Sequence, residues 1–416
     1  MTVMTRARLG VVALFVGVAA LRPTGAVPQG QAQTTPPATG QAAPQTGTDQ
    51  QTTFRARVDS VQVDVAVTDK QGQPVTDLKA TDFEIRESNK PQTIDTFKYV
   101  GVDDTPVDAS TVPEILSMSD QEREAARDDR RLIVIFLDDY HTHASAALRI
   151  RQPLATFVRG LNPRDLVAIV TPLMPVTLIT FSHDREGLAR DLMSFVGRKY
   201  DYRPKYPIEE QLAFLDPRTI EQTRNTVVIS ELEGVCAYMG TLRDGRKTLL
   251  YVSEGMTGDV QNATLMSAGR GTPTAGQGTN VSQDLQQDLV DVYAAASRSN
   301  TAIYAMDPRG LAASAIEIGD PGSSTTSPTS DYKLLTDQVD VLRTIADQTG
   351  GRAIVGMNDP RQQLAQMVRD SSGYYLMSYT STEKPRDGKF HAISIKVDRK
   401  DLQLRGRKGY YAYSAD

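Results

Sequence analysis

The chain has no tryptophan, one cysteine and four histidines in 416 residues, and aromatic residues make up only 6% of it. Without tryptophan and with few other rings, stacking platforms for bases or sugars are not expected. The single Cys236 excludes an intrachain disulfide and stands too far from the amino terminus to carry a lipid there. It falls at apolar spacing on a predicted helix and reads as a core residue rather than a nucleophile. A net charge of −5 with 23% charged residues offers no polybasic surface, so nucleic acid is not an expected partner. The Gly-x-Ser-x-Gly elbow, the His-Glu-x-x-His pair and the phosphate loop are all missing, and the chemistry each supports goes with them.

What is present begins with a leader. Arg6 and Arg8 precede the apolar run Leu9 to Leu21, and small residues around Gly25 and Ala26 offer a cleavage site, so 1–26 reads as an export signal. Arg22 closes the run short of the roughly 20 residues that a membrane span needs. The expected location is therefore the periplasm, cell surface or medium, with no integral span once the signal is removed. Residues 27–53, rich in Pro, Gln, Thr, Gly and Ala, cannot bury enough apolar area to order themselves and read as a linker.

The rest divides by pattern. Residues 54–101 carry short alternating strands (Val61 to Val67, Phe83 to Ile85, Ile94 to Tyr99), the mark of a small β-sandwich-like module. Residues 102–130 lack periodicity and read as a connector. From Arg131 to 371, strands alternate with helices, which signals an α/β domain. Its predicted strands are Leu132 to Leu137, Leu166 to Val170, Pro175 to Phe181 as an edge, Leu249 to Val252, Ala302 to Met306 and Ala353 to Val355. Pro153 is expected to kink or restart the first helix. Gly258 to Gly278 and Leu311 to Tyr332 are low in complexity. Residues 372–416 return to β character as a tail, pairing either beside the α/β domain or with the early module.

Leu132 to Leu137 is an unbroken apolar run, the pattern of a strand covered on both faces. It ends in Asp138-Asp-Tyr-His-Thr-His143. In an open parallel sheet the crevice beyond the carboxyl ends of the strands is where ligands bind. Two carboxylates, a hydroxyl and two imidazoles there form a candidate site. The plainer reading is a polar turn in which Asp138 or Thr142 caps the next helix.

The order of these pieces resembles the von Willebrand factor type A domain, in particular its exported bacterial relatives. The resemblance runs from about residue 55 to 412 and is carried by several stretches together. They are Leu78 to Ile85, Leu132 to Asp139, Gly245 to Gly255, Ile303 to Gly310, Thr349 to Arg352 and Arg405 to Tyr411. It implies a Rossmann-like α/β fold with a mostly parallel sheet, plus the β-module and β-tail. It also implies a metal-ion-dependent adhesion site at the apex, where hard oxygen ligands hold Mg²⁺ or Mn²⁺ and a partner's carboxylate completes the coordination. Carried over residue by residue, Asp138 takes the first position, Thr142 the second hydroxyl, Ser182 the threonine and Glu254 the second acid. Tyr140 departs from the pattern where a short hydroxyl belongs.

Three of the four histidines, His141, His143 and His183, fall in the two loops that this resemblance brings together, beside Asp139 and Asp184. Imidazole with carboxylate suits Zn²⁺ better than Mg²⁺; the alternative is that the histidines are solvated loop residues and no metal binds. The expected function is an exported, non-enzymatic binding module for a protein or peptide. A structural cell-envelope scaffold is the second reading. A phosphohydrolase of the haloacid dehalogenase type is the third, although Tyr140 stands where its general acid would be.

Overall fold

The computed structural model describes residues 60–102, 105, 107–257, 278–383, 387 and 389–412. The expected leader, the linker, the stretch 258–277 and most of the 386–388 turn lie outside the described residues. No helix among the described residues is long and apolar enough to cross a membrane.

The chain opens with β1 (Ser60–Thr68), β2 (Phe83–Glu87), β3 (Lys90–Gln92) and β4 (Ile94–Gly101). The stretch read as a connector holds α1 (Met118–Ala125), whose first turn is capped by the Ser117 hydroxyl accepting from the Asp120 amide. The α/β segment then runs β5 (Leu132–Leu137), α2 (Ala144–Arg159), β6 (Leu166–Val170), α3 (Arg185–Met193), α4 (Pro217–Leu242) and β7 (Lys247–Val252). It continues with α5 (Gly278–Arg298), β8 (Thr301–Met306), α6 (Pro328–Gln348), β9 (Ala353–Ile354) and α7 (Arg361–Ser372). Four strands close the chain: β10 (Gly373–Thr380), β11 (Phe390–Val397), β12 (Gln403–Arg405) and β13 (Gly409–Tyr411).

The central sheet has the order β6-β5-β7-β8-β9, and every neighbouring pair is parallel. Its apolar runs are explained by two-sided cover. Leu132, Val134 and Phe136 face α4, α5 and α6, while Ile133, Ile135 and Leu137 face α2, α3 and α7. The molecule is thus a mixed α/β protein on a five-stranded parallel sheet, an arrangement compatible with a Rossmann-like fold.

Two expectations are corrected here. Pro175 to Phe181 is not a strand of the sheet: Val176–Leu178 is a 3-10 turn, and only one bridge, Val167 with Ser182, pairs the segment antiparallel to β6. Pro172 and Pro175, with the left-handed Leu173 between them, reverse the chain before a ladder can form. Pro153 does not restart the helix, because α2 runs through it without a break.

The β-tail pairs with the early module. One sheet is β12-β1-β10-β4, in which strands from the two ends of the chain alternate, and the other is β13-β11-β2-β3, in which two tail strands lie beside two early ones. Val63, Val65, Phe83, Ile85, Tyr375, Met377 and Ile393 fill the space between them. The Tyr375 hydroxyl donates to Val75 O and accepts from the Leu78 amide, pinning the β1–β2 loop. An ion pair between Asp64 of β1 and Arg246 beside β7, both buried, ties this sandwich to the α/β core.

Candidate functional site

Adjacent parallel strands deliver their following loops to the same end of a sheet, so the turns after β5, β7 and β8 meet at one apex. Asp138 follows β5 directly and is wholly buried. Its Oδ2 accepts from Tyr251 OH at 2.7 Å, Ser253 Oγ at 2.8 Å and His141 Nδ1 at 2.8 Å, and its Oδ1 from the His141 amide at 3.1 Å. Burial raises the carboxyl's pKa, but the facing imidazole and these donors outweigh it and hold the group below its ordinary value. His141 moves the other way, since the Asp138 charge more than offsets the effect of burial.

Glu254, in the turn after β7, is buried as completely. It accepts from the His143 amide at 2.8 Å, from His143 Nδ1 at 2.8 Å and from Lys199 Nζ at 2.8 Å. Against the cost of burial, these cations and Arg309 hold its carboxyl far below the usual range. His143 Nε2 lies 2.8 Å from Asp320 Oδ2. With a carboxylate at each ring nitrogen, both nitrogens must donate, so the geometry requires the imidazolium. Arg309 pairs with Asp307 at 2.8 Å and also donates Nη1 to Gln338 of α6 and Nη2 to Glu254 O.

A second carboxylate chain lies beside the first. Asp139 receives Arg198 Nε at 2.9 Å, and Arg198 reaches Glu209 at 2.9 Å. Tyr140 is 1% exposed and donates to Glu209 at 2.7 Å, with its ring between the guanidinium groups of Arg198 and Arg224. Despite partial burial, these donors bring Glu209 down to about 2. Burial pushes Asp139 up, with the Arg198 contact offsetting only part of it. The phenol at the unexpected position is therefore a packing and anchoring group. It ties the 198–216 insertion over the apex, where a Cβ on Gly197 would collide with the carbonyls of Thr142 and His143. Thr142 Oγ1, Asp139 Oδ1 and His141 Nε2 are buried without partners.

Of the residues expected to converge, Asp138, Asp139, His141, Thr142, His143 and Glu254 do. Ser182, His183 and Asp184 do not. Ser182 pairs with Val167, which pairs with Ile133 near the amino end of β5, whereas Asp138 follows its carboxyl end. Five residues of extended strand separate those levels by roughly 16 Å. At the far end Asp184 caps α3 by accepting from the Gly187 amide, and His183 donates Nδ1 to Asp165 O. Burial, with Arg185 and Arg130 nearby, lowers the His183 pKa.

This apex does not fit a divalent cation. Ser182 is out of reach, the Lys199 ammonium already sits on Glu254, and four protein donors occupy the oxygens of Asp138. Among the described residues no group of three or more His, Cys, Asp or Glu could hold a metal ion. The cations that neutralise the apex were not singled out from sequence: Lys199, Arg198 and Arg309. The available signal was general. Buried carboxylates require partners, and basic residues stand in both flanking loops.

Neither a family model nor a curated protein matches the chain. Among solved structures, an aerotolerance-related membrane protein from Bacteroides fragilis carrying multiple mutations to serines aligns with 57% of this chain and 98% of its own. Its identity is 11% and its TM-score 0.31. A likeness at that score carries no argument about fold or function.

Proposed function

We propose that this is an exported binding protein of the von Willebrand A type that engages a protein partner through its apex loops without a bridging metal. The order of elements along the chain and the parallel sheet ending in Asp138 support the type. One observation carries the metal-free reading: the apex carboxylates are neutralised from within, while the loops around them turn large apolar side chains outward. In the 198–216 insertion Phe214 is 91% exposed, and in the loop after β8 Ile318 is fully exposed, with Ile208 and Leu311 also outside. These two loops flank His143 through Tyr200 and Asp320. Bulky apolar groups at loop tips, around a core that needs no ion, suit a protein surface better than a small solute.

The test is crosslinking on intact cells and capture with purified protein, comparing the natural sequence with a Phe214→Ser/Ile318→Ser double variant. Both positions are exposed, so the fold should survive the change. Specific partners should be lost in the variant and retained in a chelator. Capture that survives the double change would move binding off the apex, and capture abolished by chelation would restore the metal. A scaffold role is the second reading, favoured by the density of buried ion pairs; it predicts that neither treatment alters the recovered set.

A further inference from the structure

The opposite end of the central sheet meets the sandwich across a pocket of about 320 Å³. Its walls bring together Arg243 after α4, Lys247 at the start of β7 and Arg407 before β13, with Tyr410 and Tyr411 on the sandwich side. At several other positions a buried cation meets a carboxylate: Arg131 meets Asp165, Lys199 meets Glu254, Arg246 meets Asp64 and Arg309 meets Asp307, while Arg185 is held by the carbonyls of Ser182, Asn162 and Asp165. Around this pocket three cations gather without a carboxylate partner. Lys247, 1% exposed, gives its ammonium only to Arg243 O. Arg243 spends its terminal nitrogens on the carbonyls of Arg127, Arg130 and Arg246. Arg407 spends one on Ser297 O and Oγ. The Nε atoms of Arg243 and Arg407 are buried and have no partner.

Helix ends explain part of this. The carboxyl termini of α4 and α5 arrive here, each worth about half a negative charge, and Asp244 on the rim supplies one more. Together they offset about two of the four positive charges, Arg298 on the rim being the fourth, and they satisfy neither orphaned donor. Burial depresses Arg243, Lys247 and Arg407, and the adjacent Arg243 helps bring Lys247 down to about 7. A carboxylate or phosphate drawn into the pocket would reverse that penalty, because charge-assisted hydrogen bonds are strongest where water is excluded.

We propose that this pocket binds a phosphate-type oxyanion, with Arg243 Nε, Arg407 Nε and Lys247 Nζ as donors and the Tyr410–Tyr411 wall beside any organic part of the ligand. The site lies at the end of the sheet away from the apex and does not depend on partner binding there.

The experiment titrates inorganic phosphate, then glycerol phosphate, into the whole protein at constant ionic strength balanced with chloride. Binding is read by calorimetry and by Tm. Saturable heat and a Tm rise specific to the phosphates are expected. Arg407→Gln and Lys247→Met should each weaken binding about tenfold or more while keeping native circular dichroism. Should Lys247→Met fail to fold, Arg407→Gln decides alone, since the amide keeps a donor for Ser297. Tighter binding of glycerol phosphate identifies a phosphomonoester site, and equal binding identifies the free oxyanion. A Tm that follows ionic strength alone, or unchanged affinity in folded Arg407→Gln, overturns the proposal.

Discussion

His143 holds two carboxylates from different loops, and its replacement by glutamine gives a pH-dependent loss with a definite sign. The folded-state pKa is raised: burial pulls it down, but the hydrogen bonds to Asp320 and Glu254 more than compensate. A group raised on folding contributes stability that is fully present below its unfolded pKa, near 6.5 for histidine. That contribution fades as pH climbs through the higher folded value. Hydrogen bonds to charged groups contribute about 1.5–3 kcal/mol each. Glu254 keeps Lys199 when the imidazolium goes, and the Asp320 side chain is 12% exposed, so both losses sit toward the low end. His143→Gln should therefore cost about 2–4 kcal/mol near pH 6. The assay is urea unfolding of both proteins from pH 5.5 to 9, reported as the difference between them. Taking the difference cancels His391, which is likewise held between Glu87 and Asp387 and also raised. The gap should be widest at the acid end and narrow steadily with rising pH. A constant gap, or one that widens toward pH 9, would refute the imidazolium, as would imidazole NMR showing only one ring N–H at pH 6.

Other positions give independent tests. Asp138→Ala strips the acceptor from Tyr251, Ser253 and His141 in a sealed site and should cost about 3–5 kcal/mol in chemical denaturation, with Asp138→Asn milder. Arg246→Ala strands Asp64 between core and sandwich and should lower stability by about 3–5 kcal/mol, whereas joining it with Asp64→Asn should recover part of the loss. Ile135→Ala opens a cavity at the centre of β5 and should cost about 2–5 kcal/mol by the same measurement. The Cys236 thiol, fully buried and pushed up to about 12 by that burial, should resist iodoacetamide in the native protein at pH 8 and react fully in urea; rapid native labelling would show the α4 face to be open.

Much of the α/β segment was legible because burial on both faces leaves runs with no polar interruption. Leu132 to Leu137 and Leu249 to Val252 needed no periodicity to be read as strands. The convergence of Asp138 with Glu254 followed from the same reading, since β5 and β7 are parallel neighbours and present their carboxyl ends together. Ser182 misled for a physical reason. The apolar stretch before it has strand composition, but direction is set by the turn at Pro172 to Pro175, and an antiparallel return carries its end to the wrong pole. The ion pairs escaped notice because their partners lie far apart in sequence, and charge type says nothing about which acid meets which base. The tail's pairing escaped for a similar reason: alternation announces a half-buried strand but does not name its neighbour.

The sandwich woven from both ends has a consequence for how the chain matures. Val63 lies opposite Met377, so β1 waits for the whole α/β segment to emerge before it finds its place. Until then the early strands keep open edges and an apolar face, the condition under which nascent chains associate with one another. A stop codon before Gly373 would leave that condition permanent. Such a truncation should aggregate through strands that are themselves intact, even though the parallel sheet lies wholly within the residues retained.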